Sequence, residues 1–188
     1  MIDELHSQAV IEDTRRWISS IVVGLNLCPF AARVFQADRI RYAVTDADDE
    51  EALRADLAGE LSTLASTPMA TIETTLLIHP RALAHFLSYN DFLGVAERLL
   101  GSLCLRGAIQ IASFHPRYQF AGTAPEAVEN YTNRSPYPML HLLREESIAA
   151  VAGDPDELAE IPRRNVATLR ALGKEKLLEK LKAMEGGR

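Results

Sequence analysis

AIQIASFHPRYQFAGTAPEAVENYTNRSPYPMLHLLRE, residues 108–145, is the stretch on whose reading the fold turns. It opens as an apolar strand over 108–114, breaks at His115-Pro116, and then runs through a long segment dense in Tyr, Asn, Arg, Glu and Pro. From residue 139 the positions Leu140, Leu143, Ser147 and Val151 recur at helical spacing, so 139–151 is read as a helix. A structureless loop of this length inside a compact domain is uncommon unless it carries function. Its side chains stack, exchange hydrogen bonds and bind anions, whereas a linker would be richer in Ser, Gly and Lys.

Upstream of this stretch, TTLLI at 74–78 is the most apolar strand and reads as the central one, followed by His79-Pro80. A helix then runs to Ser88, is re-started by Asn90 as N-cap, and ends before Gly107. The alternating run IRYAVT at 40–45 reads as an edge strand, and a helix with Leu53, Leu57, Leu61 and Leu64 on one stripe ends before Pro68. The chain begins with a helix carrying Val10, Thr14, Trp17, Ile18, Ile21 and Leu25 on one face, with Gly24 and Asn26 as stop signals. Pro29 then opens a short second helix.

Strand, helix, strand, helix, strand in this order predicts an α/β fold: a small parallel three-stranded βαβαβ sheet, centred on Tyr42, Leu77 and Ile111 and flanked by helices. The long polar loop follows the third strand and the C-terminus is helical, with a turn at 153–156, a helix opened by Pro162, a C-cap at Gly173 and a frayed tail over about 183–188. One domain, 1–188, accounts for the chain, with the first and last helices covering the second sheet face.

Composition removes several function classes. At 188 residues and 47% hydrophobic content the chain suits a globular domain. A net charge of -6 is the opposite of the basic face that grips phosphate backbones, so nucleic acid is not an expected partner. No apolar run reaches the ~20 residues of a membrane span, and the acidic start MIDEL does not fit a secretory signal, so a cytoplasmic protein without a membrane partner is expected. Cys28 and Cys104 are too few for a disulfide framework.

GLNLCPFA at 24–31, TTLLIHP at 74–80, SYNDFL at 88–93, SFHPRYQFAGT at 113–123 and ENYTNRSPYPMLHLLRE at 129–145 together resemble the bacterial and plastid family catalogued as domain of unknown function 1415. The likeness runs from about Val10 to about Leu172 and implies one domain with a site in these segments. It brings no activity with it. Cys28-Pro29-Phe30-Ala31 also resembles the active-site turn of omega-class glutathione transferases. That fold needs a strand before the Cys, where this sequence predicts a helix. A Cys-x5-Arg phosphate cradle would need Arg at 34, which is Val34.

Three groupings carry candidate chemistry. His79 and His115 each follow a strand, where ligands of open parallel sheets bind; neighbouring strands about 4.8 Å apart would bring both imidazoles to one pocket. Glu129, Tyr131, Asn133 and Arg134, with Tyr118 before them, offer a base, stacking surfaces and a planar fork for carboxylate or phosphate. The same loop, read structurally, is a self-bonded Ω-loop in which Glu129 pairs with Arg134. His141 and Glu145, four apart on the predicted helix, share one face, which suits a metal or a proton relay.

Cys28, at a helix start, reads as a nucleophile with His115 as its base, or as a small core residue; Cys104, between two Leu, reads as core packing. The leading expectation is a small-molecule enzyme using Cys28, His115 and Glu129 on an anionic ligand held by Arg134 with Tyr118, Tyr131 and Asn133. A second reading gathers His79, His115, Glu129 and His141 around a divalent metal, for catalysis or sensing. A third makes the loop the recognition surface of a non-catalytic binding or assembly module.

Overall fold

In the computed structural model, which describes residues 4–152 and 155–185, four strands form one mixed sheet: β1 (Ile40–Val44), β2 (Thr74–Ile78), β3 (Ile109–Phe114) and β4 (Met139–Arg144), in the order β1-β2-β4-β3. The three expected strands are present and mutually parallel. The fourth corrects the expected all-parallel sheet. MLHLLR, expected as the start of a helix, is a strand antiparallel to both β2 and β3, with Leu76 opposite His141 and Ala112 opposite His141 on the other side. The physical reason is burial on both faces. An interior strand needs no polar alternation, and a short apolar run of Met and Leu has no periodicity that separates strand from helix. The helix begins one residue later, as α5 (Glu145–Ala152), so His141 and Glu145 do not share a helix face.

The first helix, α1 (Glu4–Trp17), continues as a wider π-helical segment, Ile18–Val23. Gly24 closes it with a bond to the carbonyl of Ser19, and a Cβ there would meet the Ser20 carbonyl oxygen well inside contact distance. Asn26, at φ 51°, then takes the left-handed position that ends the helix, with Leu27 N–H donating to the Val22 carbonyl at 2.9 Å. The stop signals at Gly24 and Asn26 are both used.

Helices α2 (Ala31–Gln36), α3 (Glu50–Ser66), α4 (Phe86–Ser102), α6 (Pro155–Leu172) and α7 (Lys174–Glu185) complete the fold. α3 and α4 lay Leu57, Leu61, Phe92 and Leu100 against Leu77, Leu140 and Leu142 on one sheet face. α1, α6 and α7 lay Trp17, Ile21, Leu169 and Leu177 against Leu76, Ile78 and Met139 on the other. Four helix boundaries differ from expectation. α2 starts at Ala31, with Phe30 as its N-cap, and not at Pro29. Residues 80–85 are irregular, with Leu83 at φ 55°, and α4 runs unbroken through Asn90 from an N-cap at His85. Pro162 lies inside α6, whose start precedes it, while Gly173 does separate α6 from α7. Gly153 and Asp154 of the expected turn, and 186–188 of the expected tail, lie outside the described residues; 183–185 are helical.

Cys104 is exposed, against the expectation of core packing. It occupies the left-handed residue after α4, at φ 57°, where Leu105 N–H reaches the Leu100 carbonyl and turns the chain outward.

Candidate functional site

The parity of the strands sorts the expected site residues between two faces. His79 and His115 each follow a strand end on the α3/α4 face. They are not neighbours, because β4 separates β2 from β3, and the ring of Tyr89 stands between them, 5.8 Å from His79 and 5.1 Å from His115. The Tyr89 hydroxyl donates to the Met139 carbonyl and accepts from Phe114 N–H, both at 2.9 Å, so it is threaded into the β3–β4 seam. His115 is 1% exposed and fully engaged: Nδ1 accepts from Arg117 N–H and Nε2–H therefore donates to the Leu83 carbonyl. Burial holds its pKa below the usual range. His79 Nδ1 meets the Ala82 carbonyl at 3.0 Å, its Nε2 is buried without a partner among the described residues, and burial pulls its pKa down to about 4.

Cys28 lies across the sheet, packed with Phe30, Ala112 and Leu143. The expected Cys28–His115 pair is thus not formed. Instead Cys28 lines a cleft of about 240 Å³ together with His141, Asn133 and Asn165. The cleft is built by specific ties. Glu73, fully buried at the start of β2, accepts from Arg33 of α2 and from Arg39, which anchors α2 to the sheet. Asn165 Nδ2, on α6, donates to the Leu27 carbonyl at 2.7 Å and fixes the turn before Cys28; its Oδ1 is buried without a partner among the described residues. Burial pushes the Cys28 thiol pKa up, outweighing the backbone N–H groups of Ala31 and Phe30, which favour the thiolate.

His141 points from β4 to this same side. Thr74 Oγ1 lies 2.7 Å from His141 Nε2 and donates its single proton to the Leu142 carbonyl at 2.6 Å. Nε2 must then carry the hydrogen, which leaves Nδ1 as the lone-pair nitrogen. Burial lowers the His141 pKa to about 4, so the ring is neutral at neutral pH.

The long loop folds around Asn130, which is 0% exposed. Its Oδ1 accepts from Phe120 N–H and Thr123 Oγ1, and its Nδ2 donates to the Ala124 carbonyl. Asn133 Nδ2 donates to the Ser113 carbonyl, and His115 N–H to the Asn133 carbonyl. Arg134 stacks over Tyr131 at 4.5 Å and donates to the carbonyls of Tyr118 and Pro125. The Tyr118 ring packs against Phe86 and Phe120, at 5.1 and 5.0 Å, and its carbonyl is what meets Arg134. Glu129 pairs at 2.8 Å with Arg170 of α6 rather than with Arg134; its own backbone N–H and then Arg170 hold the carboxyl below the usual range. So Arg134 and Tyr131 line one cavity, Cys28, His141 and Asn133 another, and His79, His115, Glu129 and His141 do not converge. Among the described residues no group of three or more His, Cys, Asp or Glu is placed to hold a metal.

Sequence reading passed over Thr74, Tyr89, Asn130 and Asn165. Asn165 had a signal: it interrupts the stripe Ile161, Asn165, Leu169 at helical spacing, and a polar residue on an apolar stripe needs a partner. Thr74 and Tyr89 read as ordinary strand and helix residues, and nothing local marks them.

The chain belongs to the family described as Protein of unknown function (DUF1415), whose model matches residues 9–179. No curated protein matches it, and neither does a solved structure. No described helix is long and apolar enough to cross a membrane.

Proposed function

We propose that this family member is a thiol-dependent enzyme acting on a small, largely apolar electrophile, with Cys28 as nucleophile and His141, in place of His115, as base. One observation carries the reading: Cys28 and His141 line the same cleft, and the Thr74 relay leaves His141 Nδ1 ready to accept a proton. Burial favours the neutral thiol and the neutral imidazole alike. The pair therefore rests uncharged. As Sγ adds to the carbon of a polarised double bond, the π electrons move to the far atom of that bond, and the thiol proton passes to Nδ1 and from there to that atom, while the N–H groups of Phe30 and Ala31 favour thiolate character in the transition state. The Asn165 Oδ1 acceptor suits a substrate N–H or O–H.

The test is the second-order rate of iodoacetamide alkylation at Cys28, followed by intact mass in a Cys104→Gly background so that the exposed thiol does not contribute. His141→Gln is expected to slow alkylation near pH 7 by about tenfold, and His115→Gln to leave it unchanged. Wild-type rates in folded His141→Gln protein would remove the catalytic pair. The burial that raises the thiol pKa would then favour the alternative, a non-catalytic binding cleft.

A further inference from the structure

The cavity lined by Arg134 is distinct from the Cys28 cleft. Residues 131–134 separate them: Tyr131 and Arg134 line one, Thr132 and Asn133 the other. It measures about 370 Å³, within the size range of small-molecule sites, and opens where β3 ends and β4 begins. Its walls are chiefly apolar, from Trp17 and Ile21 of the first helix to Leu177 and Leu181 of α7.

Its charges do not cancel. Arg16 is paired with Asp13, whose other carboxylate oxygen accepts from the Tyr137 hydroxyl at 2.8 Å. Arg134 has no carboxylate partner among the described residues; its Nε and Nη2 meet neutral carbonyls, and its plane is held on the Tyr131 ring. One guanidinium is thus fixed and uncompensated at an apolar cavity, with Nη1 uncommitted among the described residues. A single open edge matches one carboxylate better than a phosphate dianion, which would ask for several donors. The indole N–H of Trp17, a residue 3% exposed, is also buried without a partner among the described residues.

We infer that this cavity binds an amphiphilic monocarboxylate, its carboxylate on Arg134 and its hydrocarbon body against Trp17, Ile21 and α7. The site lies beyond the Cys28 reading and does not depend on it.

Trp17 is the chain's one tryptophan, so its fluorescence reports occupancy directly. Octanoate is expected to change that emission saturably, with affinity rising about three- to fourfold per methylene from butanoate to octanoate, as each buried CH₂ requires. Octanol, with the same chain and no charge, should bind at least about tenfold more weakly, and inorganic phosphate should not compete. Arg134→Gln should weaken octanoate about tenfold or more, while Arg134→Lys, which retains the charge, should lose less. The chain-length series needs no variant and stands even where Arg134→Gln fails to fold. Equal affinity for octanol and octanoate, competition by phosphate, no dependence on chain length, or unchanged octanoate binding in Arg134→Gln would each overturn the inference.

Discussion

Tyr89→Phe removes one oxygen and leaves a ring of nearly the same volume at a position with no solvent exposure. The ring still fills the gap between His79 and His115. What disappears is the hydroxyl bridge, and with it the partner of the Phe114 N–H and the partner of the Met139 carbonyl, each at 2.9 Å. A buried backbone group left unpaired costs about 1–3 kcal/mol, so two such groups set a loss of roughly 2–6 kcal/mol. The competing outcome is closure of the seam, in which Phe114 N–H and the Met139 carbonyl find each other directly, since these residues face one another in the register. Urea unfolding at neutral pH, followed by Trp17 fluorescence, gives the change in midpoint at constant slope. For a chain of this size a loss of about 3 kcal/mol also lowers Tm by roughly 6–12 °C. A loss below about 1 kcal/mol would mean that the seam closes and that the hydroxyl is not what holds the two strand ends.

Acid should destabilise the fold within a defined window. The His79 pKa is about 4 when folded and about 6.5 when unfolded, so between these values the unfolded chain binds more protons and stability falls as pH falls, by roughly 3 kcal/mol in all, levelling off below about pH 4. His141 adds to the same window; a pH profile of the urea midpoint for His79→Asn that superimposes on that of the wild type would refute the His79 share. Arg144 is buried and donates to the carbonyls of Leu64, Thr67 and Ile72, which places its charge at the C-terminal end of α3. Arg144→Met should cost about 2–4 kcal/mol in urea unfolding and Arg144→Lys clearly less; equal losses would show that the charge itself plays no part.

The strands and helices with a one-sided apolar pattern were legible, because an amphipathic face writes its period into the chain. TTLLI announced a strand buried on both faces through its β-branched residues and the flanking His-Pro. MLHLLR, equally buried, lacked β-branched residues and ran straight into a helix, so its periodicity merged with that of α5. That one element changed the site. It inserted a strand between the two His-Pro corners, and it turned His141 away from Glu145 and toward Cys28. The loop was legible as ordered, yet its organiser, Asn130, was not. Whether an Asn in a polar run bonds ligand or backbone depends on which backbone N–H and C=O groups the fold brings round it, and those come from residues up to ten positions away.

The position of β4 also dictates how this chain assembles. β1 and β2 pair with each other, but β3 has no ladder to either; the seam that unites them is made by residues 139–144, which lie downstream of all three. During synthesis, then, the β1–β2 pair and the lone β3 each keep an unpaired edge until the loop and the strand behind it have emerged. Open edges of this kind recruit other chains. The bonds of Asn133 to Ser113 and His115 and the Tyr89 bridge sit where the returning chain meets β3, so the loop that carries Arg134 also ties β4 to the strand it must pair with.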